Sequence, residues 1–248
     1  MIKKFLNIFL NYIGYKISKN KIYSFDHIYI SFFTENPSII DVGANQGESV
    51  DRFLRIFQNP KIHCFEPALD SFNVLKKKYN SKKNIYLNNL GLSSKKEKKV
   101  INIFQRSCNS SFNEPIKDSF WEQKKKIIFK SDSLIKNKQV VSMITMDAYI
   151  KNKNIKSIDL LKIDTQGFES YVLKGCVNSF KNNIIKFVEI EFIMGNQYTN
   201  RLNIIDLEQH LIKNNFRLYG INQSGDLLNK PDMCFDLLYA NTKFININ

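Results

Sequence analysis

Cysteine is scarce and scattered. Cys64, Cys108, Cys176 and Cys234 are the four in 248 residues, with no C-x-x-C pair and no Cys/His cluster. That excludes a disulfide-stapled scaffold, a zinc finger and an iron–sulfur centre. Nine glycines and five prolines are too few for a collagen-like or low-complexity chain. Arginine is rarer still. Arg52, Arg55, Arg106, Arg201 and Arg217 stand apart from one another, against 32 lysines. Long apolar runs are missing too: the uncharged stretch Phe5–Tyr15 has eleven residues, short of the ~20 that a membrane-spanning helix needs.

What is present is a chain with 43% hydrophobic and 24% charged residues, long enough for one good-sized core. Its net charge of +14 accompanies 30 asparagines and 33 isoleucines, residues that share AT-rich codons with lysine. The charge therefore reads as composition, and arginine is the better residue for planar phosphate and base recognition. A nucleic-acid partner is accordingly not expected. Near the start, Ile2, Phe5, Leu6, Phe9 and Ile13 recur at helical spacing. This amphipathic helix is expected to pack on the body or in a homodimer contact, or to rest on a membrane surface. No A-x-A cleavage site follows, and a cytoplasmic, at most membrane-peripheral, protein is expected.

The remaining pattern alternates strand and helix. Strands are expected at 38–42, 61–65, 85–90, 158–163, 185–192, 216–221 and 235–240, with helices at 48–57, 69–79, 168–180 and 204–213. Alternation of this kind means a mostly parallel sheet covered on both faces. Residues 95–142 break the rhythm and read as an insertion or lid without an obvious core of its own. Within it, 99–104 and 127–129 look like strands. Residues 1–36 read as an N-terminal cap segment and 37–248 as one domain.

Two acidic motifs carry chemistry. Asp41-Val-Gly43-Ala44-Asn45-Gln-Gly47 joins the first strand to the first helix, and Glu66-Pro67 ends the second strand. In such a sheet both positions face the crevice beyond the strand ends. A carboxylate there suits a ribose diol, and glycines leave room for the rest of a nucleoside cofactor. The turn lacks G-x-G-x-x-G, and Asp41 would repel a pyrophosphate. S-adenosylmethionine, with a cationic sulfonium and ammonium, therefore fits better than NAD or FAD. Further along, Lys162 points the same way as Leu160 and Asp164 on an otherwise apolar strand. A buried lysine needs a partner, and Glu189 or Glu191 on the next strand would supply it. Glu169, in the first turn of the following helix, reads as a helix-start residue.

As an ordered set these motifs resemble the FkbM family of S-adenosylmethionine-dependent methyltransferases. Asp41–Gly47 is similar to the first family motif and Phe65–Pro67 to the second. Asn89-Leu90-Gly-Leu-Ser93 is similar to its N-x-A-L-S segment, and Leu161–Glu169 to K-I-D-x-x-G-x-E, with Thr165-Gln166 where Val-Glu is also frequent. Asp236–Tyr239 is similar to the C-terminal D-x-L-F/Y strand. The resemblance implies a class I, Rossmann-like α/β fold with a seven-stranded, mostly parallel sheet. It also implies O-methylation of a sugar, surface glycan or natural-product hydroxyl, in bacterial surface-glycan or natural-product synthesis.

On that basis Asp41, Gly43, Ala44, Asn45, Gly47, Glu66, Pro67, Asn89, Leu90 and Asp164 are the expected cofactor-binding residues. Asp164 leads the catalytic candidates, with Glu191 second, Lys162 between them and Glu189 paired to Lys162; no metal is expected. Arg106, Ser110, Ser111 and Tyr198 are candidate acceptor contacts. A non-catalytic glycan-binding protein on the same fold, an NAD-linked oxidoreductase and an RNA methyltransferase are the alternative readings.

Overall fold

The structure is a computed structural model that describes residues 25–200, 202–223 and 234–245. The expected N-terminal helix at 2–13 lies outside the described residues, and with it the dimer and membrane readings.

A seven-stranded sheet forms the centre. Its strands are β1 (Ser38–Val42), β2 (Lys61–Phe65), β3 (Ile85–Asn88), β7 (Ile158–Ile163), β8 (Ile185–Ile193), β9 (Phe216–Gln223) and β10 (Cys234–Asn241). They lie in the order β3-β2-β1-β7-β8-β10-β9. The first five are parallel, and β10 runs antiparallel to both of its neighbours. The expected mostly parallel sheet is thus observed.

Both faces are covered, so the central strands read as continuous apolar runs. Helices α1 (Asp26–Phe32), α2 (Glu48–Ile56) and α3 (Leu69–Tyr79) cover one face, packing Tyr29, Phe53 and Leu75 on Ile39, Leu160 and Phe187. On the other, α5 (Met146–Lys153), α6 (Glu169–Lys174), α7 (Val177–Lys181) and α8 (Ile204–Ile212) pack Tyr149, Val172 and Leu211 on Ile40, Leu161 and Val188. Thr145 and Asn203 cap α5 and α8 with their side-chain oxygens, satisfying N–H groups that a helix start leaves open. Helix α1, where the sequence signals only a region before the core, buries Tyr29 and Phe25. Seven residues are too few for periodicity to reveal.

The 95–142 region builds more than expected. Here β5 (Glu97–Phe104) and β6 (Ile135–Ile144) pair antiparallel, and the two-residue β4 (Gly91–Leu92) pairs with β6 to complete a second sheet. Residues 127–129 are not a strand. They end helix α4 (Phe120–Phe129), which Ser119 caps through the Glu122 N–H. The local sequence Ile127-Ile128-Phe129 has strand propensity, but the cap and the preceding lysines extend a helix through it. Phe104, Trp121 and Leu134 pack with Ile193 and Tyr198, so the region shares a small apolar cluster with the end of β8.

Candidate active site

The C-terminal ends of β1, β2, β7 and β8 open into a cleft of about 600 Å³, walled on one side by residues 101–112. The turn after β1 sets its edge. Gly43 has φ +87°, and a Cβ there would lie 1.8 Å from the Asp164 carbonyl oxygen; no other residue admits that approach. Asn45 and Gly47 are also left-handed, at φ +43° and +96°. Four N–H groups of the turn are spent internally. Those of Gly43 and Ala44 donate to Phe65 O, that of Gly47 to Ala44 O, and that of Asn45 to Glu66 Oε2. A ligand here meets side chains and Cα surfaces before it meets a nest of open donors.

Glu66 follows β2 and is 6% exposed. Its Oε1 accepts the Ala68 N–H at 2.7 Å and its Oε2 the Asn45 N–H at 2.8 Å, which leaves about two lone-pair sites. Burial, against the pull of those two N–H groups, pushes its pKa up to about 7.

Across the sheet the charges fall into two rows, because register partners share a face. Asp41, Lys162 and Glu189 are side by side in the first. Glu191 and Asp236 are partners in the second, with Asp164 two residues beyond Lys162. Lys162 Nζ bonds Asp164 Oδ2 at 3.1 Å. Glu189 takes a different partner from the one expected. It accepts from Arg52 and from the Tyr29 hydroxyl, because α2 carries Arg52 over β8 and sets its Nη1 2.9 and 3.3 Å from the two Glu189 oxygens. Arg52 Nε also holds Asp26 at 2.6 Å.

Asp164 is partly exposed to the cleft. Burial raises its pKa, yet Lys162 and the Gln166 amide outweigh that and hold it below the ordinary value. Glu191 is pushed well up by burial and by the Asp164 charge. Gln166 Nε2 bridges the two, 3.0 Å from Asp164 Oδ1 and 2.5 Å from Glu191 Oε2. Its backbone is left-handed at φ +53°, and Ser111 Oγ donates to its carbonyl at 2.6 Å. Tyr198 Oη reaches its side-chain oxygen at 3.4 Å. Sequence reasoning passed over Gln166. The signal was its place two residues after Asp164, where a neutral amide can serve two carboxylates. Asp236, singled out only as a motif residue, also lines the cleft. Glu169 behaves as a turn clamp: its Oε1 accepts from the N–H groups of Thr165 and Gly167, and from Thr165 Oγ1.

Of the expected cofactor residues, Gly43, Ala44, Asn45, Glu66, Pro67, Leu90 and Asp164 line the cleft, as do Lys162 and Glu191. Asp41, Gly47 and Asn89 do not. Asp41 is fully buried, with Oδ2 accepting from Ser49 at 2.5 Å and Oδ1 unpartnered among the described residues. Gly47 starts α2 against Tyr79. The Asn89 amide ties the carbonyls of Glu66 and Pro67 together. All three sit behind the wall, shaping it. Ser111 likewise holds the Gln166 turn from behind, and Tyr198 is fully buried.

The residues present fit a nucleoside cofactor with a cationic centre. Six carboxylates and four cations line the cleft, together with apolar Val42, Phe65, Leu90, Leu92, Ile101 and Phe112. An apolar wall with a few convergent polar groups is the usual form of a cofactor site. The strand order is that of a class I, Rossmann-like fold, and a family match makes the chain an S-adenosylmethionine-dependent methyltransferase. The family described as "Methyltransferase FkbM domain" matches residues 41–218, and the chain belongs to it.

No curated protein matches the chain. Among solved structures it is similar to an rRNA methylase from Streptococcus thermophilus, at 8% identity and TM-score 0.48, covering 91% of this chain and 98% of that one. Another is magnesium protoporphyrin IX methyltransferase from Synechocystis PCC 6803 with bound SAM, at 8% identity and TM-score 0.47, covering 96% of each. These are likenesses of fold.

Several similar structures are named as rRNA or tRNA methylases, some provisionally. The expectation against a nucleic-acid partner is corrected: it rested on scarce arginine, whereas lysine, of which the chain has 32, neutralises phosphate charge as well.

Proposed function

We propose that the protein methylates a hydroxyl group on an acceptor seated between the strand ends and the 101–112 wall. The bound cofactor supplies an electrophilic methyl group on its sulfonium. In this reading Gly43, Ala44 and Asn45 border the amino-acid end, and Glu66 accepts hydrogen bonds from the ribose. Pro67 and Leu90 edge the adenine. Asp41, Gly47 and Asn89 support that wall from behind.

One observation carries the catalytic assignment. Asp164 reaches the cleft from the end of a central strand, held on one side by Lys162 and on the other by Gln166. Its lowered pKa keeps it ionised, so it orients the acceptor hydroxyl and takes the proton late, as the new bond forms. Glu191, whose pKa burial and the Asp164 charge push the other way, stands beside it. A sugar, glycan or natural-product hydroxyl is the first reading of the acceptor. RNA is the second, favoured by the names of the similar structures.

Calorimetry with S-adenosylhomocysteine tests the cofactor, and no heat at millimolar ligand would overturn the reading. A panel of hydroxylated sugars, glycans and RNA then finds the acceptor. With it, Asp164→Asn is expected to slow single-turnover transfer by about 10²–10⁴ at saturating cofactor. An unchanged rate would remove Asp164 from the chemistry.

A further inference from the structure

Asp164, Glu189, Glu191, Asp236 and Lys162 reach the cleft from strands or strand ends, whereas the guanidinium groups come from α2, which also carries Glu48, and from the start of the 106–112 segment. Among the described residues, three arginines, Arg52, Arg55 and Arg106, line this cleft against a single lysine, Lys162, in a chain with five arginines and 32 lysines. A chain that uses lysine almost everywhere for positive charge thus carries arginine here, where a planar fork of donors matters.

Arg52 is engaged by Asp26 and Glu189. Arg55 and Arg106 are exposed, and neither forms an ion pair among the described residues. Two hydroxyls accompany Arg106. Ser107 Oγ accepts from Gln46 Nε2 at 3.3 Å, and Ser110 Oγ accepts from the Phe104 N–H at 3.2 Å. Each is used as an acceptor, so each keeps its own hydrogen to donate.

We propose that Arg55, Arg106, Ser107 and Ser110 form a subsite for a phosphate group carried by the methyl acceptor. The inference rests on reading the cleft as the methyl-transfer site, and it adds an anionic class to the acceptor. Two guanidiniums from different elements and two hydroxyls offer more donors than the two oxygens of a carboxylate can use. A phosphate ester, with its extra oxygens, matches them. The same chemistry comes from a nucleotide-activated sugar or from an RNA backbone.

The test is calorimetric titration of inorganic pyrophosphate into the full chain, with and without saturating S-adenosylhomocysteine. Pyrophosphate is expected to bind the loaded protein, with affinity falling about tenfold in each of Arg55→Ala and Arg106→Ala. Thermal melting of each variant reports its fold. Parallel titrations with a uridine diphosphate sugar and a short single-stranded RNA identify the source, as the one whose binding shows the same arginine dependence. Three results would overturn the subsite: no pyrophosphate binding in either state, unchanged affinity in both variants, or displacement of S-adenosylhomocysteine. The last would give the arginines to the cofactor's own carboxylate. Failure of S-adenosylhomocysteine to bind at all would instead strike the methyltransferase reading, and pyrophosphate binding to the unloaded protein would still report on the arginines.

Discussion

Glu66 combines burial, two backbone hydrogen bonds and a pKa near 7. If it accepts from ribose hydroxyls it must be ionised in the complex, so protonation opposes binding. Affinity for S-adenosylhomocysteine is therefore expected to be full above pH 7 and to fall below it, by about tenfold at pH 6. Calorimetry in buffers of different ionisation heat should also detect proton release near pH 7. Glu66→Gln should bind more weakly, with no such slope; a wild-type affinity independent of pH between 6 and 8 would count against the assignment. Glu66 was legible because a carboxylate at a strand end has a standard place in this architecture. Gln166 was not: its role depends on Asp164 and Glu191 converging from two strands on one amide.

Helix α1 is held down by charge as well as by apolar packing. Arg52 on α2 ties Asp26 of α1 to Glu189 of β8, and Tyr29 adds its hydroxyl to the same carboxylate. Arg52→Ala would leave Glu189, 4% exposed in its side chain, without its cation. Because Arg52 is itself partly exposed, a cost of about 2–3 kcal/mol is expected, below that of a fully buried pair. Denaturant unfolding measures the loss. Hydrogen exchange should quicken most over residues 26–32, and unchanged protection there would show that apolar contacts alone seat the helix. The expected pairing of Glu189 with Lys162 followed from strand register, which is correct. It missed the competitor, because Arg52 belongs to a different element.

For the molecule as a whole, the buried carboxylates make stability depend on pH in an uncommon direction. Burial first of all holds Glu66, Glu169 and Asp236 near 7, above their unfolded values. Between those values and 7 the folded state binds more protons, so their contribution falls as pH rises through that window and is flat above it. His63 works oppositely, since burial lowers it to about 4 and stability is lost as the unfolded histidine protonates below about 6.5. Ligand-free protein is thus expected to be more stable at pH 6.5 than at pH 8, on the order of 1–2 kcal/mol. Urea titrations at the two values check it, and an equal or reversed ranking would refute the burial-driven shifts. Cofactor binding, which favours ionised Glu66, should oppose this trend.

The sequence by itself determined the parallel sheet, its two covered faces and the places of Asp41, Glu66 and Asp164 in it. Apolar runs, left-handed turn residues and strand-end acids are local signals, and each acts within a few residues. Only the tertiary structure decided which of those residues reach the cleft. Asp41, Gly47 and Asn89 fall behind its wall, whereas Arg55, Arg106, Gln166 and Asp236 enter it. Such choices depend on how the 95–142 region and α2 pack against the strand ends, and long-range packing leaves no period in the chain for the eye to follow.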